Sequence, residues 1–277
     1  MKVLLAESAG FCYGVQRAVD LAQKTAAEAG ECWMLGDLIH NAHVVEDLAG
    51  RGIRKTEDTS ALTKRDTVVI RSHGERKSVL DELRDKGVTC VNATCPNVIR
   101  IQTLVAQAEE EGRQVIIIGE PRHPEVMGVA SWCRHPVVFG GPAEAAQWLA
   151  QEPGYREMPL SVVAQTTCIR ELFESSCEIL KKECTNVKIF DTICNATHKR
   201  QTEAAKLAAQ VDVMVVVGDR KSANTKHLTE ICQERCSKVV QIENAAELSS
   251  IFFNGCSVAG LTAGASTPAG IIKEVYA

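Results

Sequence analysis

Short apolar runs punctuate the chain, and each is followed by a polar loop and then a helical pattern. In "VVIRSHGERKSVLDELRDKG" (68–87) the run Val68–Ile70 leads into Ser72, His73 and Gly74. Val79, Leu80 and Leu83 then recur at helical spacing, and Gly87 closes the unit. "QVIIIGEPRHPEVMGVAS" (114–131), "DVMVVVGDRKSANTKHLTEICQE" (212–234) and "SVAGLTAGASTPAGIIKEV" (257–275) repeat the plan. Such short buried strands alternating with helices predict parallel βαβ units. Functional loops of these sheets lie beyond the carboxyl ends of the strands, beside helix N-termini. The pattern therefore places the polar loop residues on one side of each sheet.

A longer rhythm overlies the short one. "ESAGFCYGVQRAVDLAQ" brings Cys12 to a strand–helix junction, and loops carrying His40 and His73 follow. The cycle restarts at Cys95 in "VNATCPNVIR", followed by His123 in "EPRHPEV" and by Thr166 and Thr167 in "VVAQTTCIRELFES". It opens again at Cys194 in "IFDTICNATHKRQ", followed by the Ser222–Asn224 loop and the Ser266 loop. The three openings lie 83 and 99 residues apart. A repeated unit of this kind predicts three similar α/β lobes with mainly parallel sheets, in pseudo-threefold arrangement around a central cavity. That packing would bring the three cysteine loops together.

Composition narrows the function. With 277 residues, 45% hydrophobic and 24% charged, the chain reads as an ordinary globular protein. A formal charge of −4 argues against a nucleic-acid or anionic-membrane partner. No run approaches a membrane span, and the short apolar stretch of "MKVLLAESAG" reads as a first strand rather than a signal peptide, so a cytoplasmic location is expected. The 12 cysteines are numerous for a reducing compartment, yet no C-x-x-C occurs. Any metal site must be assembled from distant loops.

A cysteine at a helix start faces unpaired N–H groups and the positive end of the helix dipole, which favour thiolate. Three such thiolates could hold three irons of a 4Fe–4S cluster and leave the fourth open, or hold zinc with one exchangeable position. Cys32, Cys90, Cys133, Cys177, Cys184, Cys232, Cys236 and Cys256 read as packing residues, and so does Cys168. His40, His73 and His123 occupy equivalent strand-to-helix loops, whereas His135 and His198 lack such partners; His43 lies one turn from His40. With Ser222, Asn224 and Ser266, the three loop histidines form a donor set suited to a phosphate or diphosphate. Neither a P-loop nor a dinucleotide fingerprint is present. Glu125 is the one carboxylate among these loop residues, and a raised pKa beside an anion would make it a proton carrier. A helix first-turn glutamate is the alternative at that position.

Taken in series, "GFCYGVQRAV", "LIHN", "RSHG", "ATCPNV", "GEPRHPEVMGV", "AQTT", "DTICNAT", "SANT" and "TAGASTP", spanning residues 10 to 268, resemble the 4-hydroxy-3-methylbut-2-enyl diphosphate reductase (IspH/LytB) family. The resemblance implies one 4Fe–4S cluster on Cys12, Cys95 and Cys194, its fourth iron open to substrate. It implies a diphosphate pocket of His40, His73, Ser222, Asn224 and Ser266, with His123 also lining the site. Glu125 matches the family's proton donor, and Thr166 matches a residue that holds the substrate oxygen and relays the proton, supported by Thr167 and Gln165. The implied reaction is reductive dehydroxylation to isopentenyl and dimethylallyl diphosphates, fed by a ferredoxin- or flavodoxin-type electron donor, in a monomer or homodimer. The implied lobes run over 13–95, 96–193 and 194–277, with strand 1–12 completing the third sheet. Ala223 departs from the serine pair some members carry there, removing one hydroxyl. A non-catalytic iron–sulfur sensor and a zinc hydrolase are the competing readings of the same cysteines.

Overall fold

The computed structural model describes residues 1–277. Its twelve strands form three four-stranded sheets, all parallel. The N-terminal strand β1 (Lys2–Leu5) is followed by helix α1 (Tyr13–Ala29) and then by a complete sheet. That sheet comprises β2 (Cys32–Leu35), β3 (Ile53–Thr56), β4 (Thr67–Ile70) and β5 (Thr89–Asn92), in spatial order β3-β2-β4-β5. Helices α2 (Ala42–Gly50) and α3 (Lys77–Asp85) make its crossovers. After α4 (Pro96–Glu110) the order recurs as β7-β6-β8-β9, built from β6 (Gln114–Ile118), β7 (Val137–Phe139), β8 (Pro159–Ala164) and β9 (Asn186–Ile189). Its helices are α5 (Pro124–Ala130), α6 (Pro142–Gln151) and α7 (Arg170–Glu183). Past α8 (Asn195–Ala208) come β10 (Val213–Val217), α9 (Ala223–Gln233), β11 (Val239–Ile242), β12 (Val258–Ala263) and α10 (Ala269–Tyr276). The third sheet has the order β11-β10-β12-β1, so β1 serves as its fourth strand, pairing Lys2 with Val258.

The sheet of β6 shows why the runs are apolar on successive residues. Ile116, Ile118, Leu160 and Val162 pack on one face with Ala145 and Leu149 of α6 and Phe173 and Leu180 of α7. Val115, Ile117 and Val163 pack on the other face with Val98, Ile101 and Val105 of α4 and Val126 of α5. Alternate side chains point to opposite faces, and helices cover both, so a polar replacement at one of these apolar positions would lose about 1.5–3 kcal/mol of burial.

In each sheet the order reverses between the first and third strands, which separates the following loops and opens a crevice. Gly36, Gly119 and Gly218 directly follow the first strands β2, β6 and β10. A Cβ on Gly119 would stand 2.7 Å from Gln165 Cβ, and one on Gly218 would stand 3.0 Å from Thr267 Oγ1. These approaches draw the loops after the first and third strands together. The loops contain His40 and His73 in the first sheet, His123 and Thr166 in the second, and Ser222 and Ser266 in the third.

Candidate active site

Each fourth strand ends a few residues before a cysteine. Cys12, Cys95 and Cys194 are the N-cap residues of α1, α4 and α8, and none of the three caps its helix with a side-chain hydrogen bond. Their backbone N–H groups make equivalent bonds to the loop after the third strand. Cys12 donates to Ala265 O (3.1 Å), Cys95 to Ser72 O (2.9 Å) and Cys194 to Thr166 O (3.0 Å). The pseudo-threefold relation thus extends to individual hydrogen bonds, and it leaves all three thiols free to face inward.

All three cysteines line one cavity of about 670 Å³, counting its open mouth. A Cβ on Gly14 would stand 2.6 Å from Cys95 Sγ and 3.9 Å from Cys12 Sγ, so the first turn of α1 tolerates no side chain there. Asn97 Nδ2 donates to Cys194 Sγ at 3.1 Å. Burial raises the Cys95 thiol above its ordinary range, with the N–H groups of Asn97 and Val98 opposing. The helix start alone therefore does not make Cys95 a thiolate; a bound cation would.

Arg200, on α8, is buried beside Cys12 and Cys194 with no carboxylate ion-paired to it. Its Nε and Nη2 donate to Ser8 O (3.0 and 2.7 Å) and Nη2 also to Gly10 O (2.7 Å), while Nη1 has no partner. A buried guanidinium without a counter-charge is costly, and an anionic group beside the cysteines would relieve it. Sequence reasoning passed over Arg200. Its signal was a cation at helical spacing among Thr197, Gln201, Ala204 and Ala208, the buried face of α8.

The same cavity gathers His40, His73, His123, Ser222, Asn224 and Ser266 from three sheets. The imidazoles touch: ring centroids are 4.1 Å apart for His40–His73, 5.5 Å for His40–His123 and 5.6 Å for His73–His123. Burial, followed by mutual repulsion, holds His73 well below the usual histidine range and lowers His123 to about 3. Burial is also the main cause of the lowered His40. His123 caps α5, its Nδ1 accepting from Glu125 N at 3.1 Å, which leaves Nε2 as the hydrogen-bearing nitrogen of the neutral ring. Both ring nitrogens of His40, Nδ1 of His73, and Oδ1 and Nδ2 of Asn224 are buried without any hydrogen-bond partner. So many orphans in one cavity mark a place for a polar ligand. Ser222 caps α9, accepting from Thr225 N at 3.4 Å, and Ser266 Oγ donates to His40 O at 2.8 Å.

Glu125 is buried, and burial raises its carboxyl above the usual range, against the hydrogen bonds from Thr166. Thr166 N–H donates to Oε1 at 2.6 Å, and Thr166 Oγ1 lies 2.7 Å from Oε2. Gln165 braces the loop: Oε1 accepts from Glu120 N at 2.9 Å and Nε2 donates to Thr167 Oγ1 at 3.0 Å. Glu125 is therefore both a first-turn residue of α5 and a buried acid linked to a hydroxyl. His43, His135 and His198 are exposed and do not line the cavity. No group of three or more His, Cys, Asp or Glu side chains is arranged to hold a single metal ion.

Residues 3–277 match the family model described as LytB protein. The chain is 42% identical over 279 residues to the 4-hydroxy-3-methylbut-2-enyl diphosphate reductase of Clostridium perfringens, covering 99% of this chain and 96% of that one. It is 39% identical to the enzyme of that name from Caldanaerobacter subterraneus, covering 99% and 95%. A solved (E)-4-hydroxy-3-methyl-but-2-enyl diphosphate reductase, described as the terminal enzyme of the non-mevalonate pathway, aligns with 36% identity and a TM-score of 0.71, covering 100% and 98%. A reductase structure from Plasmodium falciparum shares the fold, with a TM-score of 0.93 at 23% identity over 99% of this chain and 86% of that one.

Proposed function

The chain belongs to the LytB protein family, and from that premise we propose that it is a 4-hydroxy-3-methylbut-2-enyl diphosphate reductase. It adds two electrons and two protons to its allylic substrate, expels the hydroxyl as water, and yields isopentenyl and dimethylallyl diphosphates. One observation carries the site assignment: a single cavity joins three cysteine-bearing helix starts to buried polar atoms that lack partners.

Cys12, Cys95 and Cys194 fit one 4Fe–4S cluster. Their thiols are free, Gly14 keeps space beside two of them, and the unpartnered Nη1 of Arg200 suits an anionic group. The side chains do not suit a lone ion, which disfavours the zinc reading. When bound, the cluster supplies electrons singly and a Lewis-acidic iron, without a protein ligand, for the substrate's hydroxyl oxygen.

The chain's own groups handle the anion and the protons. His40, His73, Ser222, Asn224 and Ser266 take the diphosphate, with His123 beside it. The histidines are held neutral in the free protein by burial, so an entering diphosphate both accepts their N–H bonds and draws protons onto them. Glu125, whose hold on its proton is strengthened by burial, passes a proton through the Thr166 hydroxyl to the departing oxygen. A ferredoxin- or flavodoxin-type protein delivers the electrons, and the lobes 13–95, 96–193 and 194–277 work around the cavity as units.

Anaerobic turnover with a chemical reductant and the allylic diphosphate tests the reading, with both five-carbon products identified by mass spectrometry. Cys95→Ser is expected to be inactive. Absence of product from a fully cluster-loaded protein would refute it. A sensor using the same cysteines would keep its physiological role in Glu125→Gln; the reductase would not.

A further inference from the structure

His227 lies outside the cavity lining, yet it touches both loops that carry the proton machinery. It sits on α9, one turn beyond Asn224, and is buried. Its Nδ1 lies 2.6 Å from Thr167 O, and its Nε2 lies 3.2 Å from Glu120 Oε1. A carbonyl only accepts, so Nδ1 carries hydrogen; an ionised carboxylate also only accepts, so both contacts are hydrogen bonds when both nitrogens carry hydrogen. Lys226, its neighbour, reaches the same Glu120 oxygen at 3.4 Å. Thr167 directly follows Thr166, the hydroxyl bonded to Glu125, and Glu120 lies in the loop that ends at His123, the N-cap of the helix carrying Glu125. The second and third sheets are thus joined at α9, the helix whose first turn presents Ser222 and Asn224 to the cavity.

We propose that His227 is a positioning residue, a clasp by which the anion-binding turn of α9 sets the Thr166–Glu125 pair for proton transfer. A diphosphate on Ser222 and Asn224 fixes the first turn of α9. Because an α-helix turn is stiff, His227 is fixed with it, and through Thr167 O and Glu120 the two loops of the second sheet are held in register. The hydrogen bonds span the sheets directly, so no longer chain of contacts is needed. The clasp rests on the reading of the cavity as a diphosphate site. It makes distant binding energy felt at the reacting end of the substrate.

The test uses His227→Phe, which keeps a ring but no donors, and His227→Arg, which keeps donors for both oxygens. Hydrogen exchange of the Thr166–Cys168 amides is followed with and without inorganic diphosphate in cluster-loaded protein. In the native protein, diphosphate is expected to slow exchange in that segment; in His227→Phe diphosphate still binds but the slowing is lost, and in His227→Arg it returns. In turnover, His227→Phe is expected to lower kcat about tenfold with KM little changed, and His227→Arg to restore most of it. Equal protection in native protein and His227→Phe, or diphosphate binding with no protection in the native protein, overturns the clasp while leaving the pocket intact. Failure of diphosphate to bind the native protein overturns the pocket reading and the clasp with it.

Discussion

Three imidazoles in contact, with buried ring nitrogens, make stability depend on pH in a defined direction. His123 titrates near 3 in the folded protein, against about 6.5 when unfolded. Between those values the unfolded chain binds more protons, so stability falls as pH drops through 6.5 and the loss is complete near 3. At pH 5 the linkage amounts to about 2 kcal/mol for His123 alone. Glu125 works oppositely: its raised folded pKa makes the folded chain bind the extra proton above 4.5, which stabilises as pH falls. A His123→Asn variant separates the two, because asparagine still caps α5 and Glu125 is unchanged. Urea unfolding of reduced, metal-free protein at pH 7 and pH 5 is the assay. The native protein is expected to lose about 2 kcal/mol more than His123→Asn on that change. Saturating inorganic diphosphate, by supplying counter-charge to the rings, should remove most of the difference. Identical pH dependence in the two proteins would refute the argument that burial holds the ring neutral.

Three further outcomes follow, two from the cysteine end and one from the buried acid. Gly14→Ala places a methyl 2.6 Å from Cys95 Sγ, so iron content per chain should fall sharply while the secondary structure by circular dichroism is kept. Arg200→Gln removes the cation beside Cys12 and Cys194 that has no ion-paired carboxylate; the cluster's midpoint potential should shift to more negative values in an EPR-monitored titration. Glu125→Gln preserves the contact to Thr166 N–H but carries no acid proton, so kcat is expected to fall at least about a hundredfold with diphosphate affinity unchanged by calorimetry.

The architecture was legible because both faces of each sheet are covered, which makes the central strands nearly continuous apolar runs such as Val115–Ile118 of β6. The partner of β1 was not legible in this way: nothing in Lys2–Leu5 itself names Val258 as its neighbour, and only the family resemblance pointed there. The cysteines were visible because one strand–Cys–helix unit occurs three times, and the loop histidines because they recur at equivalent junctions. Glu125 stayed ambiguous in local sequence, since its decisive contact is Thr166, 41 residues away. His227 and Arg200 went unremarked because each lies within a helix, where a polar residue looks like a solvated face until the packing shows it buried. At Cys95 burial outweighs the N–H groups of the helix start, so its position at a helix N-terminus does not by itself favour the thiolate.

The central claim is that three cysteines, one from each repeat, hold a cluster with one iron left for the substrate. Mössbauer spectroscopy of iron-57-loaded protein tests it most directly. The account expects one iron site in about four to be distinct and to change alone when the allylic diphosphate is added. Four equivalent irons, unaltered by substrate, would contradict it.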